Sequence, residues 1–452
     1  MNYKTTLIMA IIFAVGVASV LLLNKSDEKK EKLEELEGKL LNVVPDSIQQ
    51  VILQPSNISM QRTGDQWQIL TPINTNGDNS AINSLVNMFD WAKIERTISS
   101  DPSEYSQYGL DPDHGRMIVK SNSATDTLYL GAKSPTGSFV FARKSGTPEV
   151  FLTTTSLETN IQKKLYDLRD KKVISYDEAA LQKLVITSGK RDIELVKDGA
   201  DWQIETPVTW PADATIMNEL TNRLHSENAK EYIDEDPSSL NAYGLNNPFI
   251  KIDLYLGQDQ GKKSLLIGKR SGDKYYALDD TRKPVFMVDS SFVKKFEIDD
   301  IASLRNKKIA NYTTEDVNKV ELEYGDLNLT CVKDTAETWY ITSMDSAKAK
   351  TWKISAMIRA VTSLKIEKFV NDNPSSLRPF GLDKPQVDLK LYNNDHLLTE
   401  LKLGNESGNN QYFTTTDRAS VYLCDRSKFV SLKPKLDEIL EEAPATTTAE
   451  QP

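Results

Sequence analysis

The side chains best suited to chemistry are few and scattered along this chain of 452 residues. Its three histidines are His114, His225 and His396. None lies in an HExxH pattern or has a cysteine or second histidine at ligand spacing, so a zinc centre is not expected. Asp111-Pro112-Asp113-His114 is the densest cluster of carboxylate and imidazole. The equivalent turns, Asn246-Asn247-Pro248 and Asp383-Lys384-Pro385, carry no Asp-His pair, and turn preferences account for the cluster. Asp395-His396 reads as part of a hairpin turn, and His225 lies one residue past the apolar face of a helix. There is no GxSxG elbow and no GxxxxGK[ST] phosphate loop. Gly268-Lys269-Arg270-Ser271-Gly272 looks like a phosphate cradle, but its equivalents at Gly131 and Gly404 lack the basic pair, and a hairpin turn favours glycine in any case. Asp234-Glu235-Asp236 and Asp299-Asp300 lack the ligand spacing of a calcium loop. The sequence therefore predicts no catalytic residue, no metal site and no cofactor.

Composition sets the outer bounds. At 39% hydrophobic and 27% charged residues, the chain has enough apolar side chains for several cores, and its length implies two to four domains. The charges sum to 55 − 65 = −10, which excludes a nucleic-acid backbone as a natural partner.

The elements that would hold any site come in three copies. Trp67, Trp202 and Trp339 stand in GDQWQIL, GADWQIE and AETWYIT, at separations of 202 − 67 = 135 and 339 − 202 = 137. Each is followed after 42 residues by Gly109, Gly244 or Gly381, in YGL, YGL and FGL. Gly131, Gly268 and Gly404 recur later, each preceded by Leu or Ile. A Pro preceded by Asp or Asn follows each Trp by 35 residues, in Asp101-Pro102, Asp236-Pro237 and Asn373-Pro374. Landmarks held in register in this way define a tandem repeat. Each copy reads as two opening strands with a Gly64-Asp65 type turn, then an amphipathic helix, then three or four short strands and a closing helix such as Leu157 to Leu168. The helix faces are Ile82, Leu85 and Phe89; Met217, Leu220 and Leu224; and Ile354, Met357 and Val361. This is an α+β architecture, mostly antiparallel sheet with packed helices, without βαβ alternation.

The repeated Trp reads as packing, with a stacking platform for a sugar or base as the sharper alternative. Leu168-Arg169-Asp170-Lys171-Lys172 and Leu304-Arg305-Asn306-Lys307-Lys308 occur only where another copy follows, and can fix the angle between neighbours or form a basic stripe. Cys331 takes the core-side slot of Met60 and Leu195, and Cys424 follows Val421-Tyr422-Leu423 on a late strand. Two buried thiols are expected, with a disulfide as the alternative.

Thr5 to Leu23 carries no charge over 19 residues, close to the roughly 20 needed to cross a bilayer as a helix. It predicts an uncleaved signal-anchor in preference to a cleaved signal peptide. Lys25, Lys29, Lys30 and Lys32 after the span would by themselves hold the body in the cytoplasm, whereas the short leading tail has the layout of an export signal. The resulting plan is an anchor at 1–24, a charged helical stalk at 25–43, repeats at 44–175, 176–311 and 312–440, and a disordered tail at 441–452.

The string of strand, GxxW, helix, DP turn, YGL, Leu/Ile-Gly and LRxKK resembles the bacterial family called domain of unknown function 4340, over 44–440. The resemblance implies a single-pass protein of the bacterial inner membrane with a periplasmic body, often encoded beside gliding-motility-type ABC-transporter subunits. It carries no catalytic residues. The expected function is a non-enzymatic scaffold or interaction subunit of an ABC-transporter-like envelope complex, with the membrane and that complex's membrane subunits as partners. The alternative is a ligand-binding or hydrolytic envelope protein with its site in a groove between repeat units.

Overall fold

A computed structural model describes residues 38–441, except 42, 123, 190, 260, 416 and 417. The expected span at 5–23, most of the stalk and the tail lie outside the described residues. Among those described, no helix is long and apolar enough to cross a membrane.

The three copies form three antiparallel sheets of nine strands each. In the first, β1 (Ile48–Gln54), β2 (Ile58–Thr63), β3 (Gln66–Thr71) and the short β4 (Thr75–Asn76) make one meander. A second meander is built from β6 (Gly115–Ser121), β7 (Thr125–Lys133), β8 (Phe139–Lys144) and β9 (Val150–Thr154). The meanders join in the middle through β1 and β6, and β5 (Arg96–Ser99) adds to the far edge beside β9. Because β4 lies on one edge and β5 on the other, the chain between them must cross a face of the sheet. That crossing is the helix Asn79–Val86, continued by Met88–Trp91. The other two sheets repeat the order, with crossing helices Ala214–Ser226 and Thr351–Thr362.

Period-two patterning supplies the opposing apolar layer: Val51, Leu53, Met60, Trp67, Ile69, Met117 and Val119 all point into one core with Ile82, Leu85 and Phe89. The corresponding helix residues of the other copies are buried as well. Asp78 and Asp213 start their helices by accepting hydrogen bonds from Ala81 N–H and from Thr215 and Ile216 N–H. The opposite face of the third sheet is charged. In the third copy Glu321 stands opposite Lys390, which stands opposite Glu400, with Asp388 opposite Lys402, so unlike charges meet across neighbouring strands.

Four local features differ from the sequence reading. Helix is a smaller share of the fold than expected, and strands dominate. The closing helix is two short turns, Ser156–Ile161 and Leu165–Leu168, because the Asp167 carboxylate accepts from Lys164 N–H and restarts the helix there. The edge strand β5 and its counterparts were unread in the sequence, being four polar or half-buried residues without a hydrophobic run. Leu40 and Leu41, placed in the stalk by sequence, are buried in the core of the first repeat.

Each repeat closes on itself through a backbone bridge between its exit segment and the residue ten past its Trp: Arg169 with Gly77, Arg305 with Ala212, and Leu440 with Ala349. Asp78, Asp213 and Lys350 N–H donate to the carbonyls of Leu168, Leu304 and Ile439 at 2.7, 2.8 and 2.8 Å. The third copy therefore has the same exit, with Leu440 in the arginine position, although LRxKK is missing from its sequence. By contact density the chain divides into two compact units, one running to Lys172 with Asn228–Glu231, the other Val173–Glu227 with Tyr232 onward. The second unit thus holds most of the second copy and all of the third.

Candidate functional site

The repeated landmarks are mechanical in kind. Gly109, Gly244 and Gly381 end 3-10 turns with φ of +70°, +71° and +68°, a left-handed conformation in which glycine carries no Cβ penalty. At Gly131, Gly268 and Gly404 a Cβ would overlap the carbonyl oxygens of Tyr108, Tyr243 and Phe380. The two glycine slots of each copy thus meet each other: the YGL or FGL turn sits directly on the later Gly strand.

The three Trp residues differ. Trp67 and Trp339 are buried, and Trp67 Nε1 donates to Asn83 Oδ1 at 2.8 Å. Trp202 is only half-buried, because its ring borders an open groove. The second copy buries Trp210 instead, eight residues on. The strand register puts Trp210 opposite Ile204, where Thr75 faces Ile69 and Ala347 faces Ile341, so this indole has no aromatic counterpart in the other copies.

Trp210 belongs to the junction of the second and third copies. Its Nε1 donates to Asn306 O at 2.9 Å, and its ring meets Phe369 edge-on at 5.2 Å. The Arg305 guanidinium lies 5.3 Å from the Trp210 ring centre and 4.6 Å from that of Phe369. It donates two hydrogen bonds to the Asp372 carboxylate at 2.7 and 2.8 Å. The second lysine of the segment, Lys308, bridges Lys365 of the third copy. So the LRxKK segment of the second copy closes its own sheet with the arginine backbone and clamps the following one with the arginine side chain. An arginine suits this better than a lysine, since its planar fork serves a carboxylate and two rings at once. Leu440 holds that slot where no copy follows, and Ser100 holds the Asp372 slot in the first copy.

Above this joint lies a groove of about 990 Å³. One wall is Asp201-Trp202-Gln203 with Asp198 nearby, and the other is the linker from Lys308 to Thr313. Lys365, Leu398 and Thr399 of the third copy close it, with Trp210 and Tyr422 also lining it. Tyr312 OH donates to Thr399 Oγ1 at 2.7 Å, holding the linker against the sheet.

The other sequence candidates do not assemble into a site. His114 and His396 are exposed, the carboxylate of Asp113 pairs with Arg116 at 3.0 Å, and His225 meets Tyr176 edge-on. Lys269 is spent on the carbonyls of Asn241 and Ala242, at 3.3 and 3.4 Å. Asp234 accepts from Tyr243 OH at 2.9 Å. Among the described residues no group of three His, Cys, Asp or Glu side chains could hold a metal. Cys331 and Cys424 are free and buried. Cys331 pairs with Val320 as Met60 does with Val51 and Leu195 with Leu184, so it fills the aliphatic slot its alignment indicated. Burial pushes the Cys331 thiol up to about 12 and that of Cys424 up to about 11, so neither is a nucleophile at neutral pH.

Three nine-stranded antiparallel sheets in tandem, with their recurrent residues spent on turns, close approaches and the joint between copies, define a structural repeat protein. The chain belongs to the family described as Domain of unknown function (DUF4340), whose model matches residues 67–205, 202–339 and 339–451. Each match begins at the repeated Trp, and the first two take in the later part of one sheet and the opening strands of the next. No curated protein matches the chain.

Proposed function

We propose that this protein is a membrane-anchored extracytoplasmic scaffold, held by residues 5–23 and serving an ABC-transporter-like envelope complex without chemistry of its own. The observation that carries this reading is the Arg305–Asp372 joint. The arginine in the exit segment of the second copy donates to an aspartate of the third, and Leu440 stands in the arginine position at the last exit. Repeated sheets joined in this way offer related faces for partner subunits, as tandem arrays do. The anchor rests on the uncharged stretch Thr5 to Leu23, and the transporter partner on the family resemblance.

Two measurements test the reading. Alkaline phosphatase fused after Pro452 should be active, because it needs an oxidising compartment; an inactive fusion together with a fluorescent cytoplasmic reporter at the same site would overturn the placement. Affinity purification from detergent-solubilised membranes should recover ABC-type ATPase and permease subunits. Recovery of the chain alone under conditions that keep such complexes intact would refute the scaffold role.

A further inference from the structure

We propose that the groove between the second and third repeats binds a neutral, hydroxyl-rich ligand of the saccharide class, with Trp202 as the surface on which a sugar ring rests. The starting observation is a departure from the repeat. Trp67 and Trp339 occupy the same strand slot and are buried, whereas Trp202 opens onto about 990 Å³ of groove. The indole N–H of Trp67 is taken by Asn83, and that of Trp202 has no hydrogen-bond partner among the described residues. A half-exposed indole presents a flat apolar face beside an N–H donor. A pyranose ring is its complement, with a flat C–H face ringed by hydroxyl groups.

The rim fits the same chemistry. Gln203 flanks Trp202, and Asn311 lies on the linker opposite. Their amides each offer donors and an acceptor, the pattern that reads hydroxyls. The charged groups lining the groove are Asp198 and Asp201 against Lys308 and Lys365. Their formal charges sum to zero, so the lining has no excess of one sign to draw in a phosphate or a carboxylate, and a neutral ligand is favoured. The volume lies at the upper end of small-molecule sites. Below it, Arg305, Asp372 and Trp210 tie both walls together, so the ligand need not supply the free energy of bringing them into place. The proposal stands on the groove alone and is independent of membrane placement and of the transporter partner.

The test is a calorimetric titration of the full chain in detergent with soluble tetrasaccharides built on glucose, galactose and N-acetylglucosamine, with inorganic phosphate as the charged comparison. At least one tetrasaccharide should bind saturably. Trp202→Ala should weaken it by about tenfold or more, the loss of one stacking surface, while Trp202→Phe retains most of the affinity. Inorganic phosphate should give no saturable heat, since Asp198 and Asp201 offset Lys308 and Lys365. Should Trp202→Ala fail to fold, Gln203→Ala and Asn311→Ala carry the same expectation of weakened binding. Absence of binding by every tetrasaccharide at millimolar concentration would overturn the proposal. So would saccharide binding indifferent to Trp202, or saturable phosphate binding that is lost in Lys308→Ala or Lys365→Ala.

Discussion

Arg305 and Asp372, 67 positions apart in the chain, form a two-pronged ion pair at 2.7 and 2.8 Å in which the guanidinium is 3% exposed and the carboxylate 38%. The arginine lies in the exit segment of the second repeat and the aspartate just past the edge strand Lys368–Asn371 of the third, so one contact reports whether the two are joined. Removing one partner of a buried pair costs more than the pair itself contributes, because the other charge stays out of water.

Asp372→Ala should therefore destabilise the chain by about 2 kcal/mol, below the range for fully buried pairs because this carboxylate is partly solvated. Arg305→Lys should not rescue, since an ammonium cannot serve the carboxylate and both rings together. A double-mutant cycle of Arg305→Ala with Asp372→Ala, read by chemical denaturation, should give a coupling of about 1–3 kcal/mol. Additive effects would show that the contact does not hold the joint.

The meeting of the two glycine slots predicts an asymmetry between neighbouring glycines. Gly268→Ala places a methyl against the Tyr243 carbonyl, where backbone must move, and should cost about 2–3 kcal/mol. Gly272, in a left-handed turn at φ +63° with open space around it, should cost only about 1 kcal/mol on the same change. Thermal melts of the two variants decide this; equal losses would mean that the Tyr243 carbonyl yields to the added methyl.

A second comparison separates the Trp slots. Trp67→Ala removes a buried indole and its hydrogen bond to Asn83 and should cost about 3–5 kcal/mol. Trp202→Ala removes a half-buried ring and should cost about 1–2 kcal/mol, in proportion to the apolar area it covers. Equal destabilisation would indicate that Trp202 is packed as fully as its counterparts.

The two thiols give a pH signature. Cys331 and Cys424 are held protonated by burial, to about 12 and about 11, against an ordinary value of 9.0. A raised folded-state value means the folded form prefers the neutral thiol. That preference is fully present below pH 9, and it is lost as pH rises through 9 towards 11 and 12. At pH 8 a thiol reagent should therefore label neither cysteine in the native protein and both after unfolding in denaturant. Alkaline unfolding should begin at higher pH in Cys331→Ala than in the parent chain. Rapid labelling of the native protein at pH 8 would contradict the burial of these side chains.

The sequence by itself determined the repeat and most of its mechanics. Trp, YGL and Leu/Ile-Gly held at constant offsets defined three copies, and the spacing of Ile82, Leu85 and Phe89 gave the helix face that the structure buries. These features are local: a period of 3.6 or 2, or a turn needing positive φ, is written in adjacent residues. Tertiary structure alone decided what the landmarks touch. That Gly109 and Gly131 belong to one contact, and that the third exit keeps its geometry with Leu440 in place of arginine, depends on strands brought together from distant positions. The LRxKK segment was legible as something that accompanies a following copy, but its acceptor was not. Asp372 is one acidic residue ahead of an Asn-Pro turn, indistinguishable in sequence from a solvated charge. The difference between Trp202 and its counterparts was hidden for the same reason. The strand motif around each Trp is alike, and whether the indole is covered depends on the chain that folds opposite it, which in the second copy is the linker and sheet of the third, with open groove between.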